Sequence, residues 1–186
     1  MPKIVIFEGG RDRNGRTARA SDAFCQGAAS ADAEIEKIFL PELKIERCRQ
    51  CDQVGWGTCR SSGTCVIEDD LAGLIGKIRG SAGVVFATPV YYGDLSESLK
   101  AFLDRLRRTT FNEDGKKTVA AKPAVGICVA GGGGGGAPQC AVHMEKTLNN
   151  IGLNVLDMIP ARRQNLELKL EVCKLSGRWF AEQIKN

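Results

Sequence analysis

The sequence predicts an α/β fold, a three-layer sandwich around a five-stranded parallel sheet, and three observations lead to it. Apolar, β-branched runs alternate five times with longer segments at helical spacing. The runs are continuously apolar, which is typical of parallel strands covered on both faces. The chain has 186 residues, enough for one core and short for two, so we expect a single domain over residues 1–186.

The first half of the chain predicts two strands, a helix between them and a helix after a long loop. The strands are the β-branched runs at 3–7 and 34–40, and the helix between them covers 17 to about 29. A Cys-rich insertion loop at about 41–66 follows. Apolar residues then recur at the i, i+3, i+4, i+7 spacing of an amphipathic helix over 69–79, at Leu71, Leu74, Ile75 and Ile78.

The second half repeats the pattern. GVVFATP (83–89) predicts a buried strand that ends at a proline, AVGICVA (124–130) another, and 153–158 the last. Helices are predicted at 140–151 and at 164–185, with Gly177 the weak point of the closing helix. A further helical stripe lies between the third and fourth strands, at Leu95, Leu99, Phe102, Leu103 and Leu106.

The handedness of the connections then narrows the topology. Right-handed crossovers make a doubly wound sheet the economical arrangement. Five strands suit the flavodoxin-like order 2-1-3-4-5, in which ligands bind outside the carboxyl ends of the strands at the switch point. We therefore expect function in the loops after strands one, three and four.

Composition and charge exclude several classes of function. The net charge of +4 is too small and too dispersed to indicate nucleic-acid binding. The apolar run near the N-terminus is far shorter than that of a signal peptide, and no window approaches a membrane span. We therefore expect a cytoplasmic protein. In a reducing compartment, clustered cysteines are more typical of metal binding or catalysis than of disulfides.

Each of the three loops has a pattern that suits ligand binding, and each also has an ordinary structural interpretation. EGGRDRNGRT (8–17) places glycines, Arg11, Arg13 and Arg16 before a helix, which suits a phosphate cradle and equally an ordinary glycine-rich turn. The tyrosine pair in TPVYYGDLSESLKAFLDR (88–105) suits stacking on a flat ligand, although most such pairs are packing residues. AGGGGGGAP (130–138) lies inside the domain, which favours close backbone approach to a ligand over a flexible linker.

The chain resembles the NAD(P)H-dependent FMN reductase and iron-sulfur flavoprotein families of the flavodoxin-like superfamily. The resemblance lies in these loops and is most specific in two segments, CVIEDDLAGLIGKIRGSAGVVFATPVYYGDLSESLKAFLDR (65–105) and KPAVGICVAGGGGGG. The resemblance covers nearly the whole chain and implies FMN as cofactor and NAD(P)H as reductant. It implies an FMN phosphate held in the first loop, by Gly9, Gly10, Arg11, Asn14, Gly15, Arg16 and Thr17. It places the flavin ring against Pro89, Val90, Tyr91, Tyr92, Gly93 and Asp94 on one side and Gly131, Gly132, Gly133 and Gly134 on the other.

The function implied by the resemblance is an oxidoreductase that passes electrons from NAD(P)H or a redox partner through FMN, with an iron-sulfur cluster, to an acceptor. A small-molecule electron donor or acceptor is the expected partner. The cofactor performs the difficult step, so we nominate no catalytic acid or base. Such relatives commonly assemble as dimers or tetramers, which implies a homo-oligomer. The alternative is a non-enzymatic binding or scaffold domain with a decayed flavin site. This alternative rests on Glu8, because its carboxylate is expected near the FMN phosphate and the two negative charges would repel each other.

The cysteine segment CRQCDQVGWGTCRSSGTC reads Cys48-x2-Cys51-x7-Cys59-x5-Cys65. It resembles the C-x2-C-x2-C-x5-C motif with which iron-sulfur flavoproteins bind a [4Fe-4S] cluster, with a middle gap longer by five residues. We rank the cluster first, no metal second and zinc third, because structural zinc sites favour shorter cysteine turns in both halves. The cluster would imply a partner protein such as a ferredoxin. We expect the remaining cysteines to be small buried residues, at Cys25, Cys128, Cys140 and Cys173.

Other polar residues have simpler interpretations. His143 falls in a predicted helix, where a surface or partly buried histidine is the favoured interpretation over a catalytic base. Arg105, Arg107 and Arg108 follow the LKAFLDR stripe. For these arginines we expect a solvated helix face or a subunit contact rather than a cofactor clamp.

Overall fold

The computed structural model describes residues 1–185, which form helices on both sides of a five-stranded sheet. The strands are β1 (Lys3–Glu8), β2 (Glu34–Phe39), β3 (Gly83–Val90), β4 (Pro123–Ala130) and β5 (Asn154–Arg162). Neighbouring strands are parallel throughout, in the order β2-β1-β3-β4-β5. The predicted fold class and strand order are confirmed.

The helices fill the connections between the strands. They are α1 (Arg16–Ala29), α2 (Thr58–Ser61), α3 (Leu71–Arg79), α4 (Glu97–Thr109), α5 (Glu113–Val119), α6 (Ala137–Ile151) and α7 (Leu166–Gln183). The sequence pattern does not predict the short helices α2 and α5. Short 3₁₀ turns lie at Leu40–Glu42 and Arg163–Asn165.

The core has two apolar layers, one on each face of the sheet. Helices α3, α4 and α6 pack on one face and α1 and α7 on the other. The inner strands β1, β3 and β4 are almost wholly buried, whereas β2 and β5 are partly exposed at the sheet edges. The continuously apolar inner strands follow from this double coverage.

Gly177 is not a weak point of the last helix but the place where α7 crosses α1. A methyl group on Gly177 would lie 2.1 Å from the carbonyl oxygen of Phe24, and one on Gly27 would lie 1.8 Å from that of Lys174. The two backbones therefore approach more closely than any larger residue allows. The absence of a side chain serves helix packing here, which outweighs the low helix propensity of glycine.

The carboxyl ends of β1, β3 and β4 open onto one edge of the sheet, and the three loops selected from the sequence begin there.

Over residues 1–185, none of the helices combines the length and the apolar character needed to cross a bilayer.

Candidate functional site

The three loops line one pocket, formed by the β1–α1 loop, the end of β3 with its following turn, and the β4–α6 loop. Its cavity volume is about 360 Å³, within the range of roughly 300–1,000 Å³ typical of small-molecule sites. We call it the switch-point pocket. It is lined by Gly10, Arg11, Asp12, Gly15, Arg16, Thr17, Pro89, Val90, Tyr91, Val129, Gly131 and Gly132.

The β1–α1 loop gives this pocket an end suited to an anion. Gly15 precedes α1, and the first helical turn contains no acidic residue. The N–H groups of that turn and the positive end of the helix dipole are therefore available to a ligand. Exposed Arg11 and Arg16 line the pocket together with buried Thr17. A phosphate group fits such a helix terminus.

Asp12, which the sequence analysis did not select, lines the pocket and closes the turn before α1. Its Oδ1 accepts a hydrogen bond from the backbone N–H of Asn14 at 2.9 Å, and its carbonyl oxygen accepts one from Gly15 at 3.0 Å. Asn14 itself is not among the lining residues. The pattern Asp-x-Asn-Gly was the available signal, because aspartate commonly closes such turns with its own side chain.

Arg13 turns away from the pocket. Its guanidinium donates to the carboxylate of Glu42 at 2.7 and 2.6 Å and lies 4.2 Å from the centre of the Phe39 ring. Of the three arginines in the loop, only Arg11 and Arg16 line the pocket. The positive charge at the pocket therefore comes from two side chains rather than three.

Gly9 lies behind the pocket lining and joins the loop to α4. A methyl group at this position would lie 2.4 Å from Ser96 Oγ, so only glycine fits. The Gly9 N–H donates to the carbonyl oxygen of Ala87 at 2.7 Å, and its own carbonyl accepts from Ser98 Oγ at 3.2 Å. Gly9 thus fixes the loop against β3 and the start of α4.

Glu8 does not face the switch-point pocket. Its side chain is fully buried, where Ser21 Oγ donates to Oε2 at 2.7 Å and the Gly10 N–H donates to Oε1 at 3.1 Å. Lys37 Nζ lies 4.0 Å away. Burial raises the pKa of Glu8, and these three groups only partly oppose that effect. Glu8 occupies one loop N–H but places no carboxylate in the pocket, so it gives no support to a decayed site.

Glu8→Gln is expected to stabilise the protein at alkaline pH. Because the folded-state pKa is raised above the usual 4.5, the folded chain binds more protons than the unfolded chain between the two values, and stability falls as pH rises through that interval. Glutamine removes this loss, and Ser21 Oγ can accept from its amide while still donating to Ala18 O. Thermal unfolding at pH 5 and pH 8 measures the effect.

The matched control is Glu34→Gln, an exposed position at the start of β2. We expect the melting temperature of Glu8→Gln at pH 8 to exceed that of the wild type by a few degrees, with a smaller difference at pH 5. Equal pH dependence in Glu8→Gln and the wild type would contradict the assigned direction of the pKa shift.

The turn after β3 directs its two tyrosines differently. Tyr91 and Asp94 exchange backbone hydrogen bonds of 3.0 Å around Tyr92 and Gly93, whose φ angles are +51° and +81°. This is the geometry of a tight two-residue turn. Tyr91 lines the pocket and is half exposed, whereas Tyr92 is fully exposed and is not among the lining residues. Beyond the turn, Asp94 Oδ1 lies 3.8 Å from Nδ1 of His143, a surface histidine as expected.

The glycines of the β4–α6 loop have different roles. Gly131 and Gly132 line the pocket, and a methyl group on Gly132 or Gly133 would meet no atom within 4 Å. Gly134, with φ of +78°, packs on Arg162 instead. Gly136, which the sequence analysis did not select, would place a methyl group 2.9 Å from Gly93 Cα. It allows the second and third loops to touch.

All four cysteines of the CRQCDQVGWGTCRSSGTC segment line a second pocket. We call it the cysteine pocket. None of these four thiols is in a disulfide. The pocket is lined by Cys48, Arg49, Cys51, Gly55, Trp56, Gly57, Thr58, Cys59, Cys65, Val66, Ile67, Arg105, Arg108 and Thr109.

The thiols surround this pocket rather than meeting at a point. Within residues 1–185, no three Cys, His, Asp or Glu side chains are grouped so that they could hold a metal ion. A tetrahedral zinc site with bonds of about 2.3 Å would need its thiolates within about 4 Å of one another. A four-iron cluster is a larger body held by the same ligand type. Four cysteines at one pocket supply the donor type of a [4Fe-4S] cluster, although no three of them are grouped closely enough to hold a metal ion in this structure.

The longer gap between Cys51 and Cys59 forms an ordered turn against α4. Asp52 Oδ1 accepts from the backbone N–H of Trp56 at 2.7 Å. The Trp56 ring packs on Phe111, with 4.8 Å between ring centres, and the Arg108 guanidinium lies 4.9 Å from the indole centre. Arg108 also donates to the carbonyl oxygen of Gly55. The extra residues thus wall the cysteine pocket rather than disrupt it.

Arg105 is buried in this wall, contrary to the expected solvated helix face. Its guanidinium forms a two-pronged ion pair with Asp69 and donates to Cys65 Sγ at 3.3 Å. Burial alone would raise the pKa of the Asp69 carboxyl, but hydrogen bonds from Arg105 and from the N–H groups of Glu46 and Leu71 outweigh it and lower that pKa. The acidic pair at 69–70 and the LKAFLDR stripe are therefore joined by one buried ion pair.

The other cysteines lie away from both pockets. Cys128, Cys140 and Cys173 are fully buried, as expected, while Cys25 on α1 is only partly buried. Burial raises the pKa of Cys25 to about 11 and that of Cys173 to about 12. These two thiols stay protonated at neutral pH and are poor nucleophiles or ligands.

The fold and the pocket at its switch point define a class, the flavodoxin-like proteins. The chain superposes on an archaeal flavodoxin with a TM-score of 0.65 and 14% identity over the full length of both chains. It superposes on the NAD(P)H:quinone oxidoreductase of Methanothermobacter marburgensis with a TM-score of 0.73 and 19% identity, over 95% of this chain and 94% of the other. At these identities the likeness concerns the fold.

Sequence similarity identifies the family. The model of the NADPH-dependent FMN reductase family matches residues 2–165, so the chain belongs to that family and is an oxidoreductase. It is also 30% identical over 152 residues to the iron-sulfur flavoprotein of Methanosarcina thermophila, a match that covers 80% of this chain and 70% of that protein.

Proposed function

We propose that this oxidoreductase passes electrons from NAD(P)H or a redox partner to an acceptor through FMN in the switch-point pocket and a [4Fe-4S] cluster in the cysteine pocket. The observation that carries the proposal is that α4 contacts both the loop beside the switch-point pocket and the wall of the cysteine pocket. Ser98 near its start contacts the β1–α1 loop, and Arg105 near its end contacts Cys65. Seven residues of helix separate them, about 10 Å along the axis.

The switch-point pocket suits FMN at both ends. The first turn of α1, with Arg11 and Arg16, would bind the phosphate, because backbone N–H groups and guanidinium groups both donate to anions. Tyr91 on one wall and Gly132 on the other leave room for a flat ring, since glycine adds no side chain there. These residues bind and orient the cofactor, and no side chain is assigned a proton-transfer role.

The cysteine pocket suits an anionic cluster held by thiolates. Cys48, Cys51, Cys59 and Cys65 would supply the ligands, of which Cys59 is buried and Cys51 is exposed. The guanidinium group of Arg108, in the wall of the pocket, would oppose part of the negative charge that four thiolates bring.

When bound, FMN would take up a hydride from NAD(P)H and the cluster would carry single electrons, so the hard chemistry is supplied by the cofactors. The protein sets their positions and surroundings. The partners in this proposal are a small-molecule donor or acceptor and a protein such as a ferredoxin, in a homo-oligomer. The proposal places the protein in the cytoplasm, where free thiols persist.

Anaerobic purification tests the cofactor content. We expect one FMN and about four irons and four sulfides per chain, with a visible spectrum that combines flavin and cluster absorption. Flavin without iron would contradict the cluster and leave a flavin-only reductase. Iron without flavin would contradict the assignment of the switch-point pocket, and the absence of both would overturn the whole proposal.

The electron donor is tested separately with the loaded protein. Anaerobic mixing with NADH, NADPH or a reduced ferredoxin compares the rates at which each donor is oxidised. Rapid oxidation of ferredoxin with little consumption of nicotinamide would favour the electron-transfer form of the proposal. The reverse order of rates would favour a nicotinamide-dependent reductase and count against a ferredoxin partner.

A further inference from the structure

Arg105 holds both ends of the cysteine segment. Besides the bond to Cys65, its Nη1 donates to the carbonyl oxygen of Glu46 at 3.1 Å, two residues before Cys48. The side chain is 1% exposed and lines the cysteine pocket. A single guanidinium therefore fixes the chain on both sides of the four thiols.

One donor of this guanidinium is unused. Arg105 Nε is buried and has no hydrogen-bond partner within residues 1–185. Buried N–H groups without a partner are rare in folded proteins, and such a group indicates that an acceptor is missing from its surroundings. Arginine stays protonated and can only donate. The acceptors suited to a pocket lined by four cysteines are the sulfur atoms of thiolates and of a bound cluster.

The ion pair with Asp69 determines how Arg105 acts. The Asp69 carboxylate balances the positive charge of the guanidinium group. Arg105 therefore acts on the sulfur atoms of the cysteine pocket mainly through its directed N–H groups rather than through net charge. Hydrogen bonds to the sulfurs of a cluster stabilise its more negative, reduced form and so raise its reduction potential.

We propose that Arg105 is a positioning residue of the cysteine pocket, which holds the Cys65 sulfur through directed N–H groups and raises the reduction potential of the cluster. This inference rests on the proposed function, because it requires that the cluster be present. It goes further by assigning a buried arginine outside the cysteine motif as the residue that sets the potential.

The test compares Arg105→Lys and Arg105→Gln with the wild type, all purified anaerobically. Iron and sulfide per chain are measured first, and the cluster is then titrated potentiometrically with detection by electron paramagnetic resonance. Lysine keeps the charge but not the planar fork. In Arg105→Lys we expect the equilibrium constant for reduction of the cluster to fall at least tenfold, which lowers its reduction potential by about 59 mV for one electron. Glutamine should lower it further.

The matched control is Arg107→Gln, on the exposed side of the same helix, which removes one charge without touching the pocket. A wild-type potential in both Arg105 variants would overturn the inference, as would an equal shift in Arg107→Gln. Loss of iron in an Arg105 variant with normal melting and FMN content would support it. Loss of iron, FMN and the melting transition in both variants would indicate a purely structural role and overturn it. A wild type without iron would overturn the proposed function itself.

Discussion

Cys51→Ala is expected to lose the iron and sulfide of the protein while keeping its FMN. Cys51 is exposed, so removal of its thiol leaves the packing of the core unchanged, yet the thiol lines the cysteine pocket with the other three. Loss of an outer partner of a metal ligand already weakens metal binding about 10- to 100-fold, and we expect loss of a ligand itself to reduce bound iron at least tenfold.

FMN content should stay near one per chain, because Cys51 contributes nothing to the switch-point pocket. Anaerobic iron, sulfide, zinc and flavin analyses on the same sample measure all four quantities. The matched control is Cys25→Ala, which removes a thiol on α1 that is absent from both pockets. Equal iron in Cys51→Ala and the wild type would remove Cys51 from the ligand set. Zinc in place of iron in the wild type would contradict the cluster and show that the four cysteines bind zinc.

The sheet was predictable from the sequence because its inner strands must be apolar on both faces. The strand order followed from that pattern and from the handedness of crossovers. The short helices α2 and α5 were not predictable from periodicity, since a helix of four or seven residues cannot display an apolar stripe. The signal for α5 was local: Asn112 caps the helix, with Glu113 and Asp114 in the first turn.

The convergence of the three loops was also predictable, because topology alone brings the carboxyl ends of the strands together. The direction of each side chain was not. Tyr92 points outward because the turn gives it a positive φ, and Arg13 points away because Glu42 and Phe39 bind its guanidinium. Such choices depend on partners that are distant in sequence.

The burial of Arg105 has a signal in the sequence. It lies three residues after Phe102 and six after Leu99, on the buried side of the α4 stripe, where a charged residue requires a partner. The partner, Asp69, follows the cysteine segment and lies 36 residues earlier in the chain. An arginine in phase with an apolar stripe predicts a buried ion pair, although the sequence does not name its acidic member.

Replacing both Arg11 and Arg16 with glutamine is expected to weaken FMN binding about 100-fold. Both side chains line the switch-point pocket beside the first turn of α1, and Arg16 Nη1 lies 4.0 Å from the position of a methyl group on Gly131, so it reaches across to the third loop. A hydrogen bond to a charged group contributes about 1.5–3 kcal/mol. Each lost arginine should therefore weaken binding about tenfold or more.

The comparison of FMN with riboflavin makes this prediction specific to the phosphate. Riboflavin has the same ring without the phosphate, so its affinity should be nearly equal in the wild type and the double variant, because the ring walls at Tyr91 and Gly132 are unchanged. Flavin fluorescence titration of the flavin-free protein measures both affinities. The matched control is Arg13→Gln, in the same loop but turned toward Glu42, which should bind FMN as the wild type does. An equal loss of riboflavin and FMN binding in the double variant would place the phosphate elsewhere and assign the two arginines to the shape of the loop.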